Sequence, residues 1–254
     1  MIKVENIEVW GFEHAIRGAR NPLNSWERSD SEPAFHALEN FAADDPMGDK
    51  YRYWNEKYDL NFKLGPNDLD LMQRLYKAGP EHRKYLRQIF VAMDITAPLY
   101  WWKEFDTYKI GTVSNSCSTM HKIHAKEFVP EDFSIEHLYN YDNNHNFAII
   151  SVEGNQCWYS PKKFISMLCE MLNYYRKQFI ESKNKDDWWQ MIQLLPSSYN
   201  QKRTITMNYE NVMTMIKQRS GHKLDEWNTF VDILKTKLPY LQSIMGEEDD
   251  KVSE

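Results

Sequence analysis

Cys117 stands between Ser116 and Ser118 in the small, hydroxylated run GTVSNSCST at 111–119, with Lys103, Lys109 and His121 near it in sequence. A thiolate is a strong nucleophile once a cation or helix N-terminus lowers its proton affinity. The run therefore admits two readings: a nucleophilic thiol, or a small residue packed in a loop that approaches something closely. His121 and His124 could share a helical face and bind a metal, but no third ligand stands at suitable spacing and there is no HExxH. A solvated pair is the other reading. Arg17 and Arg20, three apart, could grip an anionic phosphate or lie on an exposed surface. Arg219 ends an apolar helical pattern just before Gly221, where a cation also complements the helix dipole. There is no P-loop, no GxGxxG and no GxSxG.

Local patterns say which elements would carry these residues. Residues 2–11 read as a strand and 12–20 as a short helix, followed by a loop or lid rich in Asn, Ser, Asp and Pro from Asn21 to about Asp49. Gly65-Pro66-Asn67-Asp68 opens a helix with Leu69, Met72, Leu75 and Tyr76 on one face, closed by Gly79-Pro80. Residues 86–96 alternate as a strand, with Ile89, Val91, Met93 and Ile95 pointing one way. Pro98 then suits the first turn of a helix to about 108. That helix is crowded with Tyr100, Trp101, Trp102, Phe105 and Tyr108, so it is a stacking platform, core or a subunit interface.

Further along, 147–152 reads as a short buried strand. Ser160-Pro161 starts a long helix to about 182 with Phe164, Leu168, Leu172, Tyr175 and Phe179 inward. A short helix follows at 185–195 and a strand at 202–207. Asn208 caps a helix bearing Val212, Met215, Ile216 and Arg219, and a last helix spans about 225–245. This order predicts an α+β fold, a small central sheet flanked by long helices. Residues 1–245 are expected to form a single domain, and 246–254 an acidic disordered tail.

Composition narrows the function classes. The chain has 254 residues, 42% hydrophobic and 27% charged, enough for a sizeable core. Its net charge of −6 argues against binding polymeric nucleic acid, which needs a basic surface. Three cysteines without CxxC spacing argue against a disulfide framework or a zinc site. A reduced, cytoplasmic location is expected, with no signal peptide and no membrane partner, since no apolar run nears the ~18 residues of a span.

Three blocks together resemble the flavin-dependent thymidylate synthases. The first is Arg17-Gly18-Ala19-Arg20, similar to that family's R-x-A-R helix. The second runs from about Leu69 to Thr119: a helix, His82 in a turn, the strand IFVAMDITAP, an aromatic helix and a polar loop. The third runs from Leu195-Pro196 through a strand and Asn208 to Arg219 and Trp227. Laid on the family signature R-H-R-x-x-S-x-N-E-x-S-x-R, the chain reads Thr107-Tyr108-Lys109, Thr112, Ser114-Asn115, Cys117 and Thr119. The family's Arg-Gln pair falls on Lys103-Glu104, and its Thr and Glu after the histidine fall on Lys84 and Arg87.

The resemblance implies a fold like that of the thymidylate synthase-complementing proteins, assembled as a homotetramer with sites at subunit junctions. It implies FAD held by Arg17, Arg20, His82, Lys109 and Thr112. It implies a pyrimidine nucleotide, dUMP, held by Lys103, Glu104, Asn115, Cys117, Ser118, Thr119, Asn208 and Arg219. Cys117 and His82 become candidate catalytic residues, Cys117 beside the pyrimidine and His82 beside the flavin. An active enzyme would also use methylene-tetrahydrofolate and NADPH to transfer one carbon to C5 of dUMP. The alternative is a chain of this fold that has lost FAD and serves as a nucleotide-binding or protein-interaction module.

Overall fold

The computed structural model describes residues 2–32, 62–140, 145–150 and 154–246. The expected acidic tail beyond Gly246 and residues 33–49 of the expected 21–49 loop lie outside these residues.

The fold is α+β. A four-stranded sheet has the order β1-β2-β6-β3, built from Lys3–Trp10, Phe90–Pro98, Asn200–Asn208 and Val113–Ser116 respectively. Strand β2 follows the alternation of its sequence. Val91, Met93, Ile95 and Ala97 are buried, as is Ile89 just before the strand. On the opposite face Asp94 accepts from Asn6 Nδ2 (2.9 Å) on β1 and from Thr204 Oγ1 (2.6 Å) on β6, tying three strands in the observed order. Residues 84–88 form a 3-10 turn, so β2 begins later than its hydrophobic pattern suggests.

The chain divides into two compact units, described separately. One comprises Val4–Ile95, Thr107–Asn115 and Thr204–Glu254. In it, helix α1 (Phe12–Arg20) packs on α2 (Pro66–Ala78) and on the 84–88 turn. Helix α7 (Tyr209–Arg219) packs on α8 (Asp225–Lys237), and both α7 and α2 contact α9 (Leu241–Met245). Phe12 anchors this layer, edge-on to Tyr209 and Tyr240 and stacked on Phe62. The expected single helix 225–245 is two. Pro239 has no amide hydrogen to continue the ladder, and Tyr240 takes a left-handed conformation (φ 56°) between them.

Helix α2 buries Asp68, Leu71, Met72 and Tyr76, so its inward face is rotated from the expected one and Leu69 and Leu75 are only half-buried. A carboxylate distant in sequence sets its start: Asp30 accepts from the N–H groups of Asn67 (2.8 Å) and Asp68 (3.1 Å). A Cβ on Gly65 would lie 2.3 Å from that carboxylate, which explains the glycine.

The other unit comprises Met1–Lys3, Thr96–Asp106 and Ser116–Arg203. It contains α3 (Leu99–Phe105), α4 (Thr119–Lys122), the long α5 (Pro161–Ser182) and α6 (Lys185–Leu194). Its core joins Ile123, Phe128, Phe133, Ile165, Leu168, Cys169, Leu172 and Met191. Ser160 caps α5 by accepting from Lys163 N–H (3.1 Å), with Pro161 in the first turn as expected. Phe164 is not inward, being 47% exposed, because the buried stripe runs through Ile165, Leu168, Cys169 and Leu172.

The 147–152 expectation is also corrected. β4 (Phe147–Ile150) pairs antiparallel with β5 (Gln156–Tyr159) in a two-stranded hairpin, and Ile149 and Ile150 are exposed. Within the described residues no helix is long and apolar enough to cross a membrane.

Candidate functional site

The residues that the sequence reading singled out fall in both units. The better-defined group surrounds α7. Asn208 is buried and its Oδ1 accepts from Asn211 N–H (3.0 Å), capping the helix as expected. The Asn211 amide then reaches the preceding segment, donating through Nδ2 to the Ile110 carbonyl (2.7 Å) and Thr112 Oγ1 (3.0 Å). Gly111 lies against this pair with φ +74°, and a Cβ there would come within 2.6 Å of Asn208 Nδ2. Two asparagines and a glycine thus fix the course of 110–112, which carries Thr112 and follows Lys109.

The other end of α7 is closed by a cation–aromatic cluster. Arg219 Nε donates to the Tyr108 hydroxyl (2.9 Å), which donates to Gln218 Oε1 (2.9 Å). The guanidinium carbon lies 4.7 Å from the centre of the fully buried Trp227 ring and 5.6 Å from that of Tyr108. Arg219 Nη1 is 3.2 Å from His222 Nε2, while His222 Nδ1 accepts from Leu224 N–H (3.1 Å) just ahead of α8.

Arg20, expected at a phosphate, is committed inside the fold. It is 4% exposed, and Nε donates to Asp68 Oδ1 at 2.5 Å. Its other nitrogens donate to the Ser25 carbonyl (3.1 Å) and the Arg28 carbonyl (3.0 Å). Asp68 also accepts from the hydroxyls of Ser29 (2.8 Å) and Ser31 (2.6 Å) and from two backbone N–H groups, Asp30 (3.2 Å) and Ser31 (3.0 Å). Burial pushes the Asp68 carboxyl up, but the hydrogen bonds from Ser31, Ser29 and Arg20, with the charge of Arg20, outweigh it and hold it below the ordinary value of 3.8. The pair wraps the start of the 21–49 stretch around α2. Arg17, on the other side of α1, is exposed.

His82 lies in an exposed turn, its Nε2 3.9 Å from Glu81 Oε1. Beyond it, Glu210 on α7 binds both Arg87 and Arg83, the latter through Nε at 3.4 Å. The bond from Glu210 holds the Arg87 guanidinium above its usual range. Lys109 and Asn115 are exposed.

In the other unit, Trp101 and Trp102 are buried, at 0% and 1% exposure, so of the three readings of α3 they follow the core one and are not exposed interface aromatics. Trp102 Nε1 donates to the Gln201 carbonyl (3.0 Å), and the Arg203 guanidinium lies 4.2 Å from a Trp102 ring centre. Lys103 on the same helix is exposed and Glu104 half-buried. The 116–119 run is ordered by backbone pairing rather than looping freely. Cys117 N–H donates to the Lys202 carbonyl (2.9 Å), and its own carbonyl accepts from Gln201 Nε2 (2.9 Å). Its thiol is exposed. Ser118 is spent as the N-cap of α4, accepting from His121 N–H (2.9 Å), and Thr119 opens that helix half-buried. Helix α4 ends at Lys122, so His121 and His124 do not share a helical face. His124 instead stands edge-on to Phe179. No group of three or more His, Cys, Asp or Glu able to hold a metal occurs among the described residues.

Sequence reasoning missed that Tyr108 and His222 are the partners of Arg219, and that Asn211 rather than Asn208 reaches the 110–112 segment. The signals were there in part: Asn208-x-x-Asn211 as a doubled cap, and Arg219-x-x-His222 across the helix end.

The elements, their order and the sheet define the flavin-dependent thymidylate synthase fold, bearing out the resemblance at the level of the fold. The chain is similar to the flavin-dependent thymidylate synthase ThyX of Helicobacter pylori, solved with FAD and dUMP. Two structures of that enzyme match with TM-scores of 0.60 and 0.59 at 16% identity. The coverage is 99% of this chain and 100% of the other in one case, 96% and 97% in the second. It is also similar to a UMP/dUMP methylase, PolB, from Streptomyces cacaoi, solved with 5-Br dUMP (TM-score 0.55, 11% identity, 97% of this chain and 95% of that one). No family model and no curated protein matches the sequence.

Proposed function

We propose that this chain is a pyrimidine-nucleotide-binding protein on the flavin-dependent thymidylate synthase fold, taking a uridine monophosphate of the dUMP class. The observation that carries this reading is the full-length match to chains solved with dUMP or its 5-bromo analogue. Asn208 and Arg219 are among the residues that the resemblance assigns to nucleotide contacts. The sites form at subunit junctions of a homotetramer, with Lys103, Glu104, Asn115, Cys117, Ser118 and Thr119 as further nucleotide-facing residues.

FAD is a poorer fit to the residues present. Of those assigned to it, Arg20 is buried on Asp68 and Thr112 is engaged by Asn211. Arg17, His82 and Lys109 are exposed, so Arg20 is the assigned cation that the fold has taken. A dinucleotide diphosphate needs converging cations, and a site without one of its charge-assisted hydrogen bonds forgoes about 1.5–3 kcal/mol. The reading is therefore a nucleotide-binding module without flavin, and no redox step is assigned to it.

A second reading keeps FAD, methylene-tetrahydrofolate and NADPH for one-carbon transfer to dUMP. It is favoured by FAD in the matching Helicobacter pylori structures. The visible absorption of the purified protein, before and after adding FAD and dUMP, separates the two, with calorimetric titration of dUMP beside it. Saturable dUMP binding by a colourless protein that takes up no FAD is the expected result. A flavin spectrum that shifts on adding dUMP overturns it in favour of the enzyme. Absence of both signals overturns nucleotide binding itself.

A further inference from the structure

Away from the 107–115 segment, on the opposite side of α7, a cavity of about 10 Å³ is lined by Tyr76, Arg83, Leu86, Glu210, Met213, Thr214 and Lys217. That volume seats one water-sized atom. Tyr76 is 7% exposed, and its buried hydroxyl finds no hydrogen-bond partner among the described residues. A buried hydroxyl left so is costly, and native folds rarely keep one without a reason.

The surroundings say what the hydroxyl would meet. The Lys217 ammonium lies 4.7 Å from the Tyr76 ring centre and the Arg83 guanidinium carbon 5.5 Å from it. The one carboxylate in the lining, Glu210, is already bound by Arg83 and Arg87. Thr214 spends its hydroxyl proton on the Glu210 carbonyl (2.8 Å). The charges of Arg83, Arg87 and Lys217 exceed that of Glu210, and the unspent groups are donors: the Tyr76 O–H, the Lys217 ammonium and the outer nitrogens of Arg83. A water there satisfies the Tyr76 hydroxyl but leaves the excess positive charge unanswered. An anion only accepts.

We propose that this cavity binds a single monoatomic anion of halide size, chloride being the abundant one, held by the Tyr76 hydroxyl, Lys217 and Arg83. Its seat joins α2, the 83–88 turn and α7. Occupancy would couple the position of α7, and so of its Asn208 cap, to anion concentration. The site is independent of the nucleotide reading and stands or falls separately.

The test is thermal unfolding of the full chain in sodium chloride, sodium bromide and sodium gluconate at matched ionic strength, with bromide anomalous scattering from soaked crystals. A saturable rise in melting temperature with halide over gluconate is expected, because a ligand that binds only the native state stabilises it. Tyr76→Phe keeps the ring and removes the donor, and should raise the half-saturating halide concentration at least fivefold with unchanged circular dichroism. Lys217→Gln should do the same. A bromide peak beside the Tyr76 hydroxyl supports the site. Equal responses to all three salts, or crystals with a water and no bromide signal at that position, overturn it. A halide response unaltered in both variants overturns it equally.

Discussion

Arg219 donates to the Tyr108 hydroxyl at 2.9 Å while its guanidinium carbon lies 4.7 Å from the centre of the buried Trp227 ring. The two hydrogen-bonded residues are 111 positions apart, and the bond joins the end of α7 to the start of the 107–115 segment. An arginine expected to grip phosphate is therefore pre-positioned by an aromatic pocket and a hydroxyl. Two cation–ring contacts and a directed hydrogen bond leave the guanidinium little rotational freedom.

The Tyr108 hydroxyl accepts from Arg219 and donates to Gln218, so Tyr108→Phe removes two hydrogen bonds and keeps the ring. The expected cost is about 1–2 kcal/mol, read as a lower urea midpoint with an unchanged slope. Arg219→Lys should cost dUMP affinity more than stability, because an ammonium cannot reproduce the forked, directional donors of a guanidinium. Titration calorimetry beside urea unfolding separates the two.

The Arg20–Asp68 pair is a buried ion pair, with side chains 5% and 0% exposed. Arg20→Ala leaves the carboxylate buried among hydroxyls and amides, and should destabilise by about 3–5 kcal/mol. The same pair gives a pH dependence. The Asp68 carboxyl is held below its ordinary 3.8 in the fold, so the unfolded chain binds the proton more readily. Its stabilisation is present above pH 3.8 and is lost as pH falls through the lower folded value. The acid limb of stability against pH should flatten in Asp68→Asn, which has no carboxyl to titrate. An unchanged acid limb would refute this assignment.

Much of this arrangement was legible in the sequence where the cause is local. The alternation of Val91, Met93 and Ile95 fixed a strand, and Ser160-Pro161 and Asn208 are caps whose partners lie three residues on. What failed depends on contacts remote in sequence. Asp30 caps α2 across a gap of 37 residues to Asn67. For Trp101 and Trp102 the sequence leaves platform, core and interface open, because aromatic enrichment in a seven-residue helix does not say which element covers it. The site suffered most. Arg20 and Arg219 were found by type and spacing, but whether an arginine faces a ligand or a carboxylate inside the fold is decided by Asp68 and Tyr108, which no local pattern pairs with them.

Gly111 should tolerate no side chain. Its φ of +74° is unfavourable for any L-residue, and a Cβ would stand 2.6 Å from Asn208 Nδ2 and 3.2 Å from Asn211 Nδ2. Gly111→Ala is expected to cost about 1–3 kcal/mol, from the left-handed backbone and the displaced amides. Asn211→Ala, which deletes the bridge to Ile110 and Thr112 but leaves the backbone relaxed, should cost about 1 kcal/mol. If Gly111→Ala proves the milder of the two, the segment is not held by this asparagine pair.

The three cysteines should part into two classes under native alkylation. Cys117 and Cys157 are exposed, whereas Cys169 is buried on α5. Burial, with the negative charges of Asp132, Glu131 and Glu170, pushes the Cys169 thiol up to about 11, partly offset by a backbone hydrogen bond. The reactive thiolate is thus scarce there even at pH 8, and the reagent cannot reach it. Iodoacetamide at pH 8 followed by peptide mass spectrometry should modify Cys117 and Cys157 within minutes and Cys169 only after denaturation. Adding dUMP before the reagent tests the nucleotide reading directly: protection of Cys117 with Cys157 unaffected is expected if the pyrimidine lies beside that thiol. Equal labelling of Cys117 with and without saturating dUMP would remove it from the site and leave the thiol as a surface residue of the 116–119 run.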